Sequence, residues 1–481
     1  MKAIKYLLMG LLTFGSVAPA MAQDNNKAIF EQATEIIKAK GPDFDKQVKQ
    51  LYKDHKKDPE ALVAIGRAFL NQKDLENANT FADYALKRNG KFAKAFILKG
   101  DIAVAKDDAG AAAENYQQAK YFDPKNPDAY YKYAMILRGR SPEEAVANLE
   151  ELRTQRPDYP VDALCGRIYY IAQNYEKAES YYDKVTNKSS LEDEDITYYA
   201  MSTWLLGKRE KSIDICKIGL TRDPRRSGWN RIAFYNYTDL KQTNEALDYA
   251  DKLFNKSDSA HYIGEDYIYY GTALQQAERW DDAINAYNQA IELNKDNDKQ
   301  TAIINKNLSD VYLKKEDYDN AVVYFKKTFG TDNPTMDNLD ELGTLYATIA
   351  SKKVQAGDEA GAQEAFKKAD EVYAQMMEAY PNYNNYGNFM RGQINANLDP
   401  DSKQGLAKPY YEALATALET KEEKNESELA MLKQAYLYLI VYNFNVKQDL
   451  ENAKIYASKM LTVDPENEVA KQVNEIVSEN K

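Results

Sequence analysis

Only two histidines, His55 and His261, and two cysteines, Cys165 and Cys216, occur in 481 residues. The histidines stand in separate parts of the chain, which argues against a His-based metal centre and against a Ser-His-Asp triad. No glycine-rich loop of the phosphate-binding kind appears. The acidic clusters Glu192-Asp193-Glu194-Asp195 and Asp296-Asn297-Asp298 lack the alternating ligand spacing of a calcium loop and read as solvated helix starts. Carboxylates are so abundant that no pair singles itself out as general acid and base. The expectation is a protein without catalytic residues, metal or cofactor, and therefore not an enzyme.

Other chemistry belongs to surfaces. The chain carries 38 Tyr against 15 Phe and 3 Trp, with 44% hydrophobic and 29% charged residues. That composition is globular, and amphipathic rings in such number suit an extended shape with many half-buried positions. Net charge is −12, so the basic footprint of a nucleic-acid binder is missing. Both cysteines sit among apolar neighbours at helical core positions, which favours two buried thiols over a disulfide.

The first 22 residues read as a secretory signal. Lys2 and Lys5 form a basic end, Tyr6 to Phe14 an apolar core, and Ala20-Met21-Ala22 a small-residue cleavage site, with the mature start at Gln23. Beyond it no apolar run approaches the roughly 18 residues of a membrane span. No Cys follows the cleavage site, so a bacterial lipid anchor has no attachment point. A periplasmic or otherwise exported protein is expected.

The elements that position all of this follow from self-similarity. Ala78, Ala112, Ala145, Ala178, Ser212, Ala246, Ala283, Ala321, Ala362, Ala407 and Ala453 recur at spacings of 34, 33, 33, 34, 34, 37, 38, 41, 45 and 46. Each is followed at i+4 and i+7 by a further small, apolar or aromatic residue, one face of a helix. Pro124, Pro157, Pro224 and Pro465 close that helix about twelve residues on. A second helix precedes each, marked by Gly66, Gly100, Ala134, Gly166, Ala200, Gly271, Ser309 and Gly343. Glycine inside a helix costs about 1 kcal/mol, so its return implies a neighbour too close for a side chain. Gly343 and Ala362 are 19 residues apart instead of twelve, an insertion of seven that keeps the same face inward. Phe234 breaks the small-residue pattern in the sixth unit.

A helix pair every 34 residues, with small residues at the crossing, an aromatic nearby and a closing proline, resembles the tetratricopeptide repeat, in an exported form similar to those of Bacteroidetes. The resemblance covers roughly Asp58 to Pro465. It implies an all-α, right-handed superhelical solenoid of about eleven helix pairs with irregular terminal caps. The expected organisation is a signal peptide (1–22), an N-terminal capping helix pair (23–57), a regular array (58–335), divergent long-helix units (336–428), and a last unit with a closing helix (429–481).

The resemblance also implies a function. In such arrays the first helix of each unit lines a concave groove, on the face opposite the small residue. Here that face reads Tyr131, Met135, Arg138; Ala163, Arg167, Tyr170; Thr197, Met201, Trp204; Arg231, Tyr235, Thr238; Ile268, Thr272, Gln275. Arginines and large aromatics are the residues of interface hot spots, and Tyr131, Arg138, Arg167, Tyr170, Trp204, Arg231 and Tyr235 are the candidate ligand-binding residues. The lysine and asparagine clamp by which some relatives hold a peptide's terminal carboxylate is not reproduced, since Val63, Arg67 and Leu98 stand there. A scaffold of the cell envelope holding an extended segment of a partner protein is expected; the alternative is a glycan-binding protein of the starch-binding outer-membrane type. Truncating a groove arginine is expected to weaken binding and leave helicity intact, whereas Tyr169 and Tyr182 belong to the core. Asp258-Ser259-Ala260 resembles the Asp-Ser/Thr-apolar acceptor of O-glycosylation in Bacteroidetes, which makes Ser259 a candidate modification site.

Overall fold

A computed structural model of the chain describes residues 20–330 and 333–479. The regular elements among them are helical, and the one non-helical pairing is an isolated bridge between Arg226 and Asp258. Residues 1–19, which carry most of the expected signal segment, lie outside the described residues.

Helices α1 (Ala20–Ala39) and α2 (Phe44–His55) open the chain. Eleven pairs follow: α3 (Pro59–Asn71) and α4 (Leu75–Arg88), α5 (Ala93–Ala105) and α6 (Ala109–Phe122), α7 (Pro127–Leu137) and α8 (Pro142–Gln155), α9 (Val161–Ile171) and α10 (Tyr175–Lys184), α11 (Asp193–Leu205) and α12 (Arg209–Leu220), α13 (Ser227–Asp239) and α14 (Thr243–Asp251), α15 (Gly264–Gln276) and α16 (Trp280–Leu293), α17 (Asp298–Lys314) and α18 (Tyr318–Lys326), α19 (Met336–Gln355) and α20 (Glu359–Ala379), α21 (Asn384–Leu398) and α22 (Lys408–Glu419), α23 (Glu426–Val441) and α24 (Leu450–Val463). Helix α25 (Glu468–Glu479) comes last. These helices fall into two compact units, one holding the chain up to Leu240 with Asp251–Ser259, the other Lys241–Ala250 and the chain from Ala260. Within each unit successive helices pack against one another, from α3 to α13 in the first and from α15 to α25 in the second.

Short-range chemistry sets the helix boundaries. Asp58, Asp74, Asp108, Asn174, Asp317, Asp358 and Asp449 each cap a helix by accepting from backbone N–H groups of its first turn. In most pairs the turn uses one left-handed residue just before the cap, as in Lys73 (φ 62°) before Asp74 and Asp107 (φ 60°) before Asp108. The closing prolines fall just past the ends of α6, α8, α12 and α24, as their chemistry requires.

The repeating alanines are the core. All eleven register positions from Ala78 to Ala453 are buried, and so are all eleven residues four positions later. In several pairs a glycine of the first helix faces a tyrosine ring of the second, as Gly100 faces Tyr116. A Cβ added at Gly166 would lie 2.9 Å from the Tyr182 ring, and one at Gly271 2.6 Å from Tyr287. Glycine and tyrosine thus interlock across these pairs. In the sixth pair the partnership changes hands: Phe234 is fully buried, and Gly219 on α12 receives the Trp229 ring of α13 instead.

The seven-residue insertion lengthens α19 to 20 residues and α20 to 21, with Ile349 and Ala350 buried in the added turns. The tenth pair hides a small residue that the spacing did not reveal: Gly392, opposite Tyr411. The loop after it is organised by Asp399, whose Oδ2 accepts from the N–H groups of Gln404 (2.8 Å) and Gly405 (2.7 Å). Neighbouring pairs are tied at the surface by ion pairs one repeat apart, such as Lys94 to Glu60 (2.7 Å) and Lys177 to Glu143 (2.9 Å).

Candidate functional site

The first helices α7, α9, α11 and α13 touch in succession within one unit, so side chains on their shared face form a row. The row is knitted by Arg167, which the packing of α9 projects towards both neighbours. Its Nε and Nη2 donate to Asp195 of α11 at 3.1 and 2.9 Å. Its Nη1 reaches Glu194 Oε2 at 3.0 Å and the Tyr131 hydroxyl of α7 at 3.3 Å. Asp195 is only 2% exposed and also accepts from the Tyr182 hydroxyl at 3.1 Å, while Arg167 is 14% exposed. Burial pushes the Asp195 carboxyl upwards against the pull of Arg167, and the guanidinium, held between carboxylates, stays charged.

Two expectations change here. Asp195 does not belong to a solvated helix start, because the third residue of α11 points back between α9 and α10 and meets Arg167 and Tyr182. Arg167 is accordingly not a free groove cation: it neutralises a buried carboxylate, and its removal must affect stability as well as binding.

The other candidates divide. Tyr170 stacks on Tyr198 of α11 with centroids 4.3 Å apart and planes at 17°, and burial raises its pKa to about 12. Trp204 and Tyr235 meet with centroids 6.1 Å apart, which joins α11 to α13. Tyr235 is 6% exposed, buried at the base of the row instead of lining its open side. The Trp204 Nε1 is covered and has no hydrogen-bond acceptor, while Arg209 lies over its ring at 5.7 Å. Arg138 donates to the Met135 carbonyl of its own helix end, and Arg231 is half-buried on α13. The structure thus joins Tyr131 to Arg167 and Trp204 to Tyr235, and gives Arg138 a capping role.

Sequence reasoning missed Glu194, Asp195 and Tyr198. Glu194 stands three residues before Thr197 on the same stripe of α11, a spacing that would have found it. Asp195 leaves no such trace, because its burial depends on how α9 and α11 are rotated against each other. As expected, Tyr169 and Tyr182 are buried, and Cys165 and Cys216 are free, buried thiols with pKa values pushed up by desolvation. Ser259 is exposed with left-handed backbone (φ 50°), beside Asp258, which accepts from Arg225 Nε at 2.9 Å.

Among the described residues no group of three or more His, Cys, Asp or Glu side chains could hold a metal ion, and no helix is long and apolar enough to cross a membrane. Residues 265–331 match the family model of the tetratricopeptide repeat. Among solved structures the chain is similar to the C-terminal part of a TPR repeat-containing protein from Cytophaga hutchinsonii (22% identity over 58% of this chain and 98% of that one, TM-score 0.44). It is also similar to a tetratricopeptide repeat protein from Parabacteroides merdae (18% identity, 53% and 98%, TM-score 0.34) and to YrrB, described as a TPR protein with an unusual peptide-binding site (17% identity, 38% and 95%, TM-score 0.28). No curated protein matches the chain.

Proposed function

We propose that this succession of helix pairs, of which residues 265–331 match the tetratricopeptide-repeat model, is a non-catalytic protein-interaction scaffold which holds an extended segment of another protein along its first-helix row. The observation that carries this reading is the row from α7 to α13. Tyr131, Arg167, Tyr170 and Trp204 are fixed in it by bonds and ring contacts between successive first helices. Rigid aromatics and guanidinium groups supply contact area and forked donors at low entropic cost. The test is site-specific photo-crosslinking in the native host, with the reactive group at Tyr131 or Met201 on the row, or at Gln118 on the exposed face of α6. A protein joined from the row positions and not from position 118 supports the scaffold. Equal yields from all three would overturn the groove.

Envelope location belongs to the same proposal and rests on residues 1–22; N-terminal sequencing of envelope material should begin at Gln23. A glycan ligand is favoured by one feature of the other unit. A cleft of about 370 Å³ between α15 and α16 is lined by Tyr267, Tyr270, Arg279, Asp282, Asn285 and Gln289, rings and planar polar groups of the kind that stack on and hydrogen-bond sugars. A glycan array without signal would remove that reading and leave the row untouched.

A further inference from the structure

The exposed end of Arg167 has a geometry that protein stability does not require. We propose that Arg167 and Tyr198, with Tyr131 beside them, form a carboxylate subsite which Glu194 fills in the unliganded chain. An acidic side chain within a bound protein segment replaces Glu194 there. The inference rests on the scaffold reading above and specifies its partner's chemistry.

Two donors converge on one carboxylate. Arg167 Nη1 lies 3.0 Å from Glu194 Oε2, and the Tyr198 hydroxyl donates to Oε1 at 2.7 Å. Neither donor depends on Glu194 for its position. The guanidinium plane is fixed by its two-pronged bond to buried Asp195, and the Tyr198 ring by its stack on Tyr170. A site so supported keeps its shape when its occupant leaves. Glu194 is the loose member: its side chain is 48% exposed, against 14% for Arg167 and 2% for Asp195. An exposed carboxylate on a flexible stem is held weakly in water, so an incoming carboxylate with further contacts along the row displaces it. Charge at the start of α11 does not explain the two bonds, because Asp193 and Asp195 also lie in that first turn. The row continues past the subsite on both sides, to Tyr131 on α7 and to Trp204 at the far end of α11, which suits a segment running through more than a chain terminus.

The probes are fluorescent peptides read by anisotropy on the full chain: one acetylated and amidated, alternating leucine and glutamate; its glutamine counterpart; and the glutamine peptide with a free C-terminal carboxylate. Glu194→Ala should tighten binding of the glutamate peptide by about threefold or more, the scale of an exposed ion pair, and leave the glutamine peptide unchanged. Glu192→Ala, which removes the same charge two residues earlier, should give a smaller gain. Adding Tyr198→Phe to Glu194→Ala should abolish the gain, with helicity checked by circular dichroism. Equal gains for Glu192→Ala and Glu194→Ala, no gain at all, or a gain that survives Tyr198→Phe would each overturn the subsite. Tightening of the free-carboxylate peptide alone would overturn its assignment to side chains. None of these outcomes bears on crosslinking from Tyr131, so failure of the subsite and failure of the groove remain distinguishable.

Discussion

Arg167→Ala should destabilise the fold and not merely weaken binding. It strands Asp195, 2% exposed, with the Tyr182 hydroxyl as its remaining partner. Breaking one side of a buried ion pair costs about 3–5 kcal/mol, so amide hydrogen exchange in α9 to α11 should accelerate markedly. Adding Asp195→Asn, which removes the stranded charge, should restore most of the protection; protection unaffected by Arg167→Ala would mean that the pair is not formed in solution. The thiols offer a second test at this scale. Cys165 and Cys216 are fully buried and their ionisation is suppressed by desolvation. A thiol reagent should therefore label neither in the folded chain and both in denaturant, and rapid labelling of either under native conditions would contradict their placement.

At the scale of helices, two glycines in the second pair of the array, Gly100 on α5 and Gly110 on α6, respond to different forces. Gly100→Ala gains about 1 kcal/mol of helix propensity. It also drives a methyl group into the Tyr116 ring, well inside contact distance, and overpacking of this kind costs about 1–3 kcal/mol. The net should be a loss. Gly110→Ala lies in the first turn of α6, where propensity counts for less, and the nearest atom is Asp108 Oδ1 at 3.5 Å, so it should be neutral to stabilising. Thermal unfolding of the two variants decides it, and a stabilising Gly100→Ala would show that the helices are less tightly apposed than described. This interlock is also why so much of the fold was legible in sequence. Alanine, glycine and tyrosine recur because each pair must solve the same steric problem within about 34 residues, and a local problem leaves a periodic mark. Gly392 escaped because its pair carries a longer turn, 15 residues separating it from Ala407. The row was legible only as a list of residue types. That Arg167 is shared between Asp195 and Glu194, that Tyr235 is buried and that Arg138 caps its own helix are products of helix rotation and side-chain reach, which no spacing encodes.

Taken as a whole, the molecule should be sensitive to alkali. Burial lifts Tyr170, Tyr287 and Tyr411 from the ordinary 10.0 to about 12, and it raises Tyr182 well above the ordinary value too. In the folded chain these hydroxyls keep their protons at pH values where the unfolded chain has lost them. Their contribution to stability is thus fully present below about pH 10 and is lost as pH rises through 12. Tyrosinate absorbance should lag behind that of a free-tyrosine mixture and then rise together with loss of helical circular dichroism; an early rise with helicity intact would mean that the rings are open to water. The bonds between neighbouring pairs, finally, have a short reach along the chain: Arg167 to Asp195 spans 28 positions and Tyr386 to Asp340 spans 46. A polypeptide tied together at that range need not wait for its far end before it begins to fold. As it leaves a ribosome, each helix pair can close on the one just completed. The order of synthesis then becomes the order of assembly.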